Sequence, residues 1–538
     1  MVNTYTTEDQ RVPEAAIDAD GNFIVVWESR GADGDPSQQS VQAQRYAADG
    51  SARGTQFQVN TYTTGEQYRM AVAMDRTSGD FVVAWSSYAV ETGDTSYFGV
   101  LAQRYAADGA ALGGELRVNT TTLYSQIAPS AAMLDDGDFV VVWQSDGSPG
   151  SDSSGYSVQG QRFASDGSPL AGEFQINTYT TSGQRSAAVA SSADGSFVVV
   201  WTSSGSDVDT SSNSVQGQRF SSSGAPVASQ FQINTYTTDD QQAPVIAVAP
   251  DGGFLVAWES DGSDNGDTDQ DSIQAQRFAP DGSPAGGQFQ VNTYTTGRQA
   301  NASVGVDGDG DFVVVWDSFG SDLGDDDRFS VQGRRYAANG DPVGGVFLVN
   351  TYTTDAQLQP TVAVDEAGDF VISWEGYRDD NGDASERSVQ AQRFRVTADI
   401  GGRVFFDMGA DGLQNVDDPG VSGVTVHLRD GLGNLLDSIT TDDDGRYHFR
   451  PKIATEDAVD QFTVELEAPA SRVFTFQNIG ADDTIDSDVD PITGATRPFI
   501  LTSAGDSLQN LDAGLSGPPL FADGFEMGDT MAWTAAFP

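Results

Sequence analysis

PVIAVAPDGGFLVAWES, residues 244–260, is the stretch whose reading decides the fold. FLVAW is apolar at every position and ends in Trp258. An uninterrupted apolar run of this length, bounded by turn residues, reads as a strand buried on both faces. The Pro-Asp-Gly-Gly before it is hairpin-turn chemistry. Two further strand-like stretches follow, SIQAQRFA (272–279) and QFQVNTYT (288–295), separated by PDGSPAGG. The unit reads as four short antiparallel strands over 244–249, 253–260, 272–279 and 288–295, and no segment carries a useful helical period.

This unit repeats. Trp27, Trp85, Trp143, Trp201, Trp258, Trp316 and Trp374 stand 57 or 58 residues apart, and Arg45, Arg104, Arg162, Arg219, Arg277, Arg335 and Arg393 close a VQGQR-like phrase in each copy. Fixed-period self-similarity marks a repeat architecture. Seven four-stranded units, each with one doubly buried strand, predict an all-β seven-bladed β-propeller over residues 1–396. A stacked-hairpin solenoid is the alternative, and it calls for atypical end repeats. VNTYTT or INTYTT ends most copies, but none follows Arg395, whereas one opens the chain at Val2. Residues 1–7 are therefore expected to supply the outer strand of the last blade and close the ring. The repeated Trp reads as core packing, and the repeated Arg as the partner of a turn Asp in its own or the next blade. DGDGD (307–311) sits at a hairpin turn and reads as one. The loop after each Trp, as in 259–272, 317–330 and 375–388, keeps its length while its sequence drifts among Asp, Gly and Ser. Similar arrays occur in large exported bacterial proteins, which implies an extracellular module and carries no activity.

The 538 residues hold 79 acidic and 27 basic side chains, a net charge of −52. Such a surface repels nucleic acid and anionic membranes and favours divalent cations. A solvated acidic surface suited to a saline habitat is the plainer reading, and the two coexist. Without cysteine there is no disulfide, thiolate nucleophile or Cys-ligated zinc. No run of 18 apolar residues exists to span a membrane, and residues 1–20 have no signal-peptide pattern.

The composition changes after Val396. IGGRVFFDMGADGLQNVDDPGVSGVTVHLRD (400–430) and NIGADDTIDSDVDPITG (478–494) resemble the serine-aspartate repeat protein B-type (SdrD B-like) domain, over residues 398–515. The resemblance implies a small β-sandwich over 397–515 that binds Ca²⁺ outside the cell and acts as a spacer in surface proteins, followed by a linker and tail over 516–538. The residues agree. Val424, Val426 and Leu428 alternate inward, as do Tyr447 and Phe449, leaving His427 and His448 outward. Asp407, Gly409, Asp411, the Leu413 carbonyl, Asn415 and Asp418 fall at EF-hand-like ligand spacing, with Gly412 at the obligatory turn. Gly409 lacks a side chain and Asp418 replaces the usual Glu, which weakens the site. Asp482, Asp483, Asp486, Asp488 and Asp490 form a second candidate cluster. The lone lysine, Lys452, lies outside the first strand, so no Lys–Asn cross-link is expected. The tail, LFADGFEMGDTMAWTAAFP (520–538), resembles short C-terminal phrases of exported proteobacterial proteins.

Residues 1–396 hold no histidine, so no Ser-His-Asp or Cys-His catalytic set can be built there. The expectation is a monomeric, exported or cell-surface, non-enzymatic adhesion or binding protein with a calcium-stabilised spacer. A lectin-like or carbohydrate-active propeller acting on extracellular glycans is the alternative.

Overall fold

A computed structural model describes residues 1–516 except 32–38, 89–96, 135, 148–151, 153, 207–208, 210–211, 263–269, 326, 378–385, 416, 453–459, 471, 476, 478–485 and 502–506. The described residues are all-β and contain no helix. They fall into two compact units, Met1–Phe394 and Arg395–Pro538.

The first unit contains seven consecutive antiparallel sheets, six of four strands and a seventh of three, each wound in chain order. In the fifth sheet the strands are Gln241–Val248, Phe254–Asp261, Asp271–Phe278 and Phe289–Gln290. The second strand is buried through its first seven residues in every sheet, as Phe139–Asp146 illustrates. Its alternate side chains serve different neighbours. Phe139, Val141 and Trp143 pack with Val82, Ala84 and Val100 of the preceding sheet. Val140 and Val142 pack with Val199 and Trp201 of the following one. This two-sided packing explains the absence of polar alternation in FVVVW. The same arrangement joins the seventh sheet to the first, where Trp27 and Val25 share a core with Val371, Val389 and Val2.

The outer strand is shorter than the sequence suggests. It has two residues in four sheets and seven, extending upstream and not into VNTYTT, in the fourth and sixth, and in each an asparagine side chain then replaces the ladder. Val41, Val100, Val158, Val215, Ile273 and Val331 donate their backbone N–H to Oδ1 of Asn60, Asn119, Asn177, Asn234, Asn292 and Asn350, at 2.7–2.9 Å. The asparagine then turns the chain away toward the next sheet. In the seventh sheet this asparagine is Asn3. Val389 donates to its Oδ1 at 2.8 Å, and the Val2 N–H donates to the Val389 carbonyl at 2.8 Å. The N-terminus thus contributes Val2 and Asn3 to the seventh sheet, not a full fourth strand.

The first strand of each sheet carries a bulge at a residue with φ of 49–54°: Val12, Arg69, Ala128, Ser186, Ala243, Asn301 and Gln359. Left-handed backbone at a non-glycine residue is costly unless its surroundings hold it. Here the side chain following the tryptophan of the preceding sheet does so. Glu28, Ser86, Gln144, Thr202, Glu259 and Asp317 accept the N–H of Arg69, Ala128, Ser186, Ala243, Asn301 and Gln359 at 2.8–3.1 Å. Glu375 accepts from Val12 of the first sheet at 3.3 Å. The repeated arginine also bridges sheets, donating to a turn carbonyl of the next sheet beside the expected turn Asp, with Asp108, Asp166 and Asp281 in the field of Arg45, Arg104 and Arg219. Arg45 donates to Ala107 O at 2.6 Å and Arg219 to Asp281 O at 2.5 Å, and Arg104 reaches Ser165 O. DGDGD is a turn, with Asp307 Oδ1 accepting the N–H of Asp309 and of Asp311, both at 3.0 Å.

The second unit holds a five-stranded sheet built on Asp399–Phe406, Arg446–Phe449 and Ala513–Ser516, and a four-stranded sheet built on Thr425–Asp430, Leu435–Thr440 and Asp460–Leu466. One apolar core lies between them, including Ile400, Val426, Leu428, Phe449 and Val464. His427 and His448 face outward from their strands, His448 exposed and His427 half-buried, beside Glu467 at 3.3 Å and Asp399 at 3.1 Å respectively.

Candidate metal centre and the cavity lined by seven sheets

The loop 407–418 follows directly from the strand Asp399–Phe406. Gly412 has φ +80°, the conformation its place in the loop requires. The carboxylates are spent locally. Asp407 accepts the N–H of Gly412 at 2.8 Å and of Asp411 at 3.3 Å. Asp418 accepts from Asn415 at 2.8 Å and from Met408 at 3.1 Å. The Asn415 amide donates to the Leu413 carbonyl at 3.3 Å. A Cβ on Gly409 would stand 3.4 Å from Asp411 Oδ2 and 3.6 Å from Asp407 Oδ1, so those two oxygens flank the residue that offers no ligand.

Asp482 and Asp483 lie outside the described residues. Asp486 is brought to the first loop, because Leu413 bridges to it and the Ser487 N–H donates to Gly412 O at 3.1 Å. The two candidate clusters therefore meet at this point. Asp490 caps its own turn, its Oδ1 accepting the N–H of Ile492 and of Thr493 at 2.9 Å, which holds its carboxyl below the usual range. Asp488 accepts the Asp512 N–H at 2.8 Å. Asp512 was not among the sequence candidates. It is buried between Leu511 and Ala513, and its Oδ1 accepts the Arg403 N–H at 2.6 Å. Burial pushes its carboxyl up to about 6 despite that bond, and the charge of Asp486 adds to the effect. The available signal was a carboxylate flanked by two core residues in LDAG. The donor set of this region is all oxygen, which suits a hard cation. Among the described residues, no three carboxylates or histidines are gathered closely enough to hold one.

In the first unit, the first strands of all seven sheets line a cavity of about 490 Å³, from Val12–Ala15 around to Gln359–Val362. A second cavity of about 490 Å³ lies further along the same strands. Arg76 borders it and donates to Val306 O at 3.0 Å and Val364 O at 3.3 Å, reaching from the second sheet to the sixth and seventh. Glu14 lines the first cavity. It is half-buried, and desolvation pushes its carboxyl up to about 7. The Thr361 hydroxyl donates to it at 3.4 Å. Asp317, fully buried behind the lining, is also pushed by burial to about 7, against hydrogen bonds from the Gln359 N–H and Asn301 Nδ2. In the post-tryptophan loops, residues 263–269, 326 and 378–385 lie outside the described residues. So does the tail, 517–538.

Residues 398–515 match the SdrD B-like domain. Among curated proteins, the chain is 30% identical over 242 residues to serine-aspartate repeat-containing protein F of Staphylococcus epidermidis, covering 40% of this chain and 13% of that protein. It is 30% identical over 176 residues to serine-aspartate repeat-containing protein C of Staphylococcus aureus, covering 32% of this chain and 16% of that protein. The chain thus matches less than a fifth of the length of either relative. Among solved structures, it is similar to a protein of unknown function from Dyadobacter fermentans at TM-score 0.41 and 11% identity, covering 72% of this chain and 95% of that one. It is also similar to the polysaccharide lyase Uly1 at TM-score 0.43 and 10% identity, covering 73% and 90%. Among the described residues, no helix is long and apolar enough to cross a membrane.

Proposed function

We propose that the chain is a non-enzymatic protein of the cell surface or extracellular space, in which a seven-bladed β-propeller displays binding loops and an SdrD B-like domain serves as a calcium-stabilised spacer. The match of residues 398–515 carries this reading. The propeller is supported by the junction of the seventh sheet with the first: the Glu375–Val12 hydrogen bond repeats the bond at every earlier junction, Trp27 shares a core with Val371, and Asn3 gives Val389 from the N-terminus the bond that Asn60 gives Val41 within the first sheet. The non-enzymatic part is supported by the sequence, since the only two histidines lie in the second unit and there is no cysteine.

Calcium would be held by Asp407, Asp411, Asn415, Asp418 and the Leu413 carbonyl, with Asp486 and Asp488 from the second stretch. A bound cation would offset the mutual repulsion of these carboxylates and would couple the order of the loop to the stability of the domain. The protein acts as a monomer, with extracellular protein or glycan as ligand. A lectin-like or carbohydrate-active propeller is the second reading, favoured by one observation, the cavity in which Glu14 is a carboxyl titrating near 7. A glycan array paired with a hydrolysis screen on the full chain separates the two. Turnover of any glycan rejects the non-enzymatic reading.

A further inference from the structure

The left-handed residue of each first strand sets the register in which that strand meets the cavity of about 490 Å³. The second residue after it lines the cavity in all seven sheets. This residue is Ala71, Ser130, Ala188, Val245, Ser303 and Thr361 in the second to seventh sheets, and Glu14 in the first. Only Glu14 carries an ionisable group. Where the position is polar in the other sheets, the side chain bonds to the sheet that follows. Ser130 Oγ accepts the Val189 N–H at 3.2 Å, Ser303 Oγ accepts the Val362 N–H at 3.1 Å, and the Thr361 hydroxyl donates to Glu14 at 3.4 Å. Glu14 breaks this pattern. Among the described residues its carboxyl has the bond from Thr361 and none to the second sheet.

No cation of the chain answers this carboxyl. Arg11, on the same strand, is held by Glu28 at 3.1 Å, and Arg387 by Glu375 at 2.8 Å. Glu259, the other charged residue lining the cavity among those described, already faces Arg298 at 3.1 Å. The wall is uneven in polarity. The sixth and seventh sheets contribute Asn301, Ser303, Gln359 and Thr361, whereas the fourth and fifth contribute chiefly apolar groups such as Ala187, Val189, Pro244 and Ile246. No aromatic ring lines the cavity among the described residues, so there is no cage for a quaternary ammonium. A metal ion would lack the several oxygen ligands it needs, since no three carboxylates or histidines gather there.

We propose that this cavity binds a small organic amine as its ammonium ion, with Glu14 as counter-ion and hydrogen-bond acceptor and the apolar side receiving the hydrocarbon body. A desolvated carboxylate without a partner is costly, which is why burial holds the Glu14 carboxyl near 7. An ammonium brings the opposite charge together with N–H donors and removes that cost. The cavity volume falls within the roughly 300–1,000 Å³ of small-molecule sites. The net charge of −52 concentrates cations around the chain. Binding here requires no turnover and is independent of the choice between an adhesive and a glycan-active propeller.

The test is calorimetric titration of the full chain with benzylamine, in about 0.3 M NaCl to screen the acidic surface. Saturable one-site binding with a Kd below about 1 mM is expected. Benzyl alcohol, of the same shape without the charge, should bind at least about tenfold more weakly. Glu14→Gln keeps an acceptor for Thr361 and removes only the charge. It should weaken benzylamine at least about tenfold and leave the melting temperature unchanged. Should Glu14→Gln fail to fold, Ala188→Leu, which fills the apolar side, must weaken benzylamine by the same factor. A Kd above about 1 mM, or benzyl alcohol binding as tightly as benzylamine, overturns the proposal. Equal binding of benzylamine by Glu14→Gln also overturns it, because the amine then sits on the acidic surface.

Discussion

Replacing Asn3 by alanine asks whether the N-terminus is part of the fold of the first unit. Asn3 is 1% exposed, accepts the Val389 N–H at 2.8 Å and donates from Nδ2 to Tyr5 O at 2.9 Å. Asn60 does the same within the first sheet, accepting from Val41 at 2.8 Å and donating to Tyr62 O at 2.9 Å. Alanine leaves a buried backbone N–H without an acceptor, which costs about 1–3 kcal/mol. The two substitutions should therefore cost the same, although one lies in the middle of a repeat and the other two residues from the chain end. Terminal residues that are not tied down fray, and their substitution costs almost nothing. Tryptophan fluorescence during urea unfolding is the assay, because Trp27 to Trp374 all report on the first unit. Asn3→Ala within about 0.3 kcal/mol of the parent, beside Asn60→Ala at 1 kcal/mol or more, would refute the reasoning. Deleting residues 1–7 removes this bond together with the buried Val2 and should cost more than either substitution.

Buried carboxyls set the pH response of the same unit. Asp317 titrates near 7 when folded and near 3.8 when unfolded, so the folded state holds the proton more tightly. Stability from this group is then greatest below about pH 4 and is lost as pH rises from 4 through 7, by on the order of 4 kcal/mol. Glu28, Glu259 and Glu375, also raised by burial, add with the same sign. Asp317→Asn should flatten the slope between pH 4 and 7, and an unchanged slope rejects the assignment. For the second unit, about 10 mM calcium at a Kd of roughly 10⁻⁴–10⁻³ M should add about 1.4–2.7 kcal/mol. Asp407→Asn should erase that gain in calorimetry, whereas Asp490→Asn, whose Oδ1 caps its own turn, should lower stability and leave the calcium gain in place.

The sequence disclosed what depends on period and apolar content. FVVVW announces a doubly buried strand because both faces meet another sheet, and the tryptophan spacing counts the sheets. The inter-sheet bonds were hidden. The residue after each tryptophan is Glu, Ser, Gln, Thr, Glu, Asp or Glu, and only its role as an acceptor is constant. That role becomes visible once the bulge residue of the next sheet is seen with φ near 50°. The outer strand was overestimated because VNTYTT looks extended, whereas Asn ends the ladder with its side chain. At the candidate metal centre the EF-hand-like spacing was readable. The meeting of Leu413 with Asp486 and the burial of Asp512 depend on contacts across about 70–100 residues, which no local pattern encodes.

Closure of the seven sheets into a ring is the central claim, and spin labels measure it directly in a chain without native cysteine. Single cysteines at Asp20 and Glu366 lie on exposed turns of the first and seventh sheets, and a Cβ on the neighbouring Gly21 would stand 3.1 Å from Asp365 Oδ2. Ala19 and Ser78 provide the reference, since the turns of the first and second sheets make the equivalent contact between Gly79 and Asp18 Oδ2 at 3.2 Å. In double electron–electron resonance, a closed ring predicts the same distance distribution for both pairs. A distance for Asp20–Glu366 longer than those to the intervening sheets would contradict it and leave an open array.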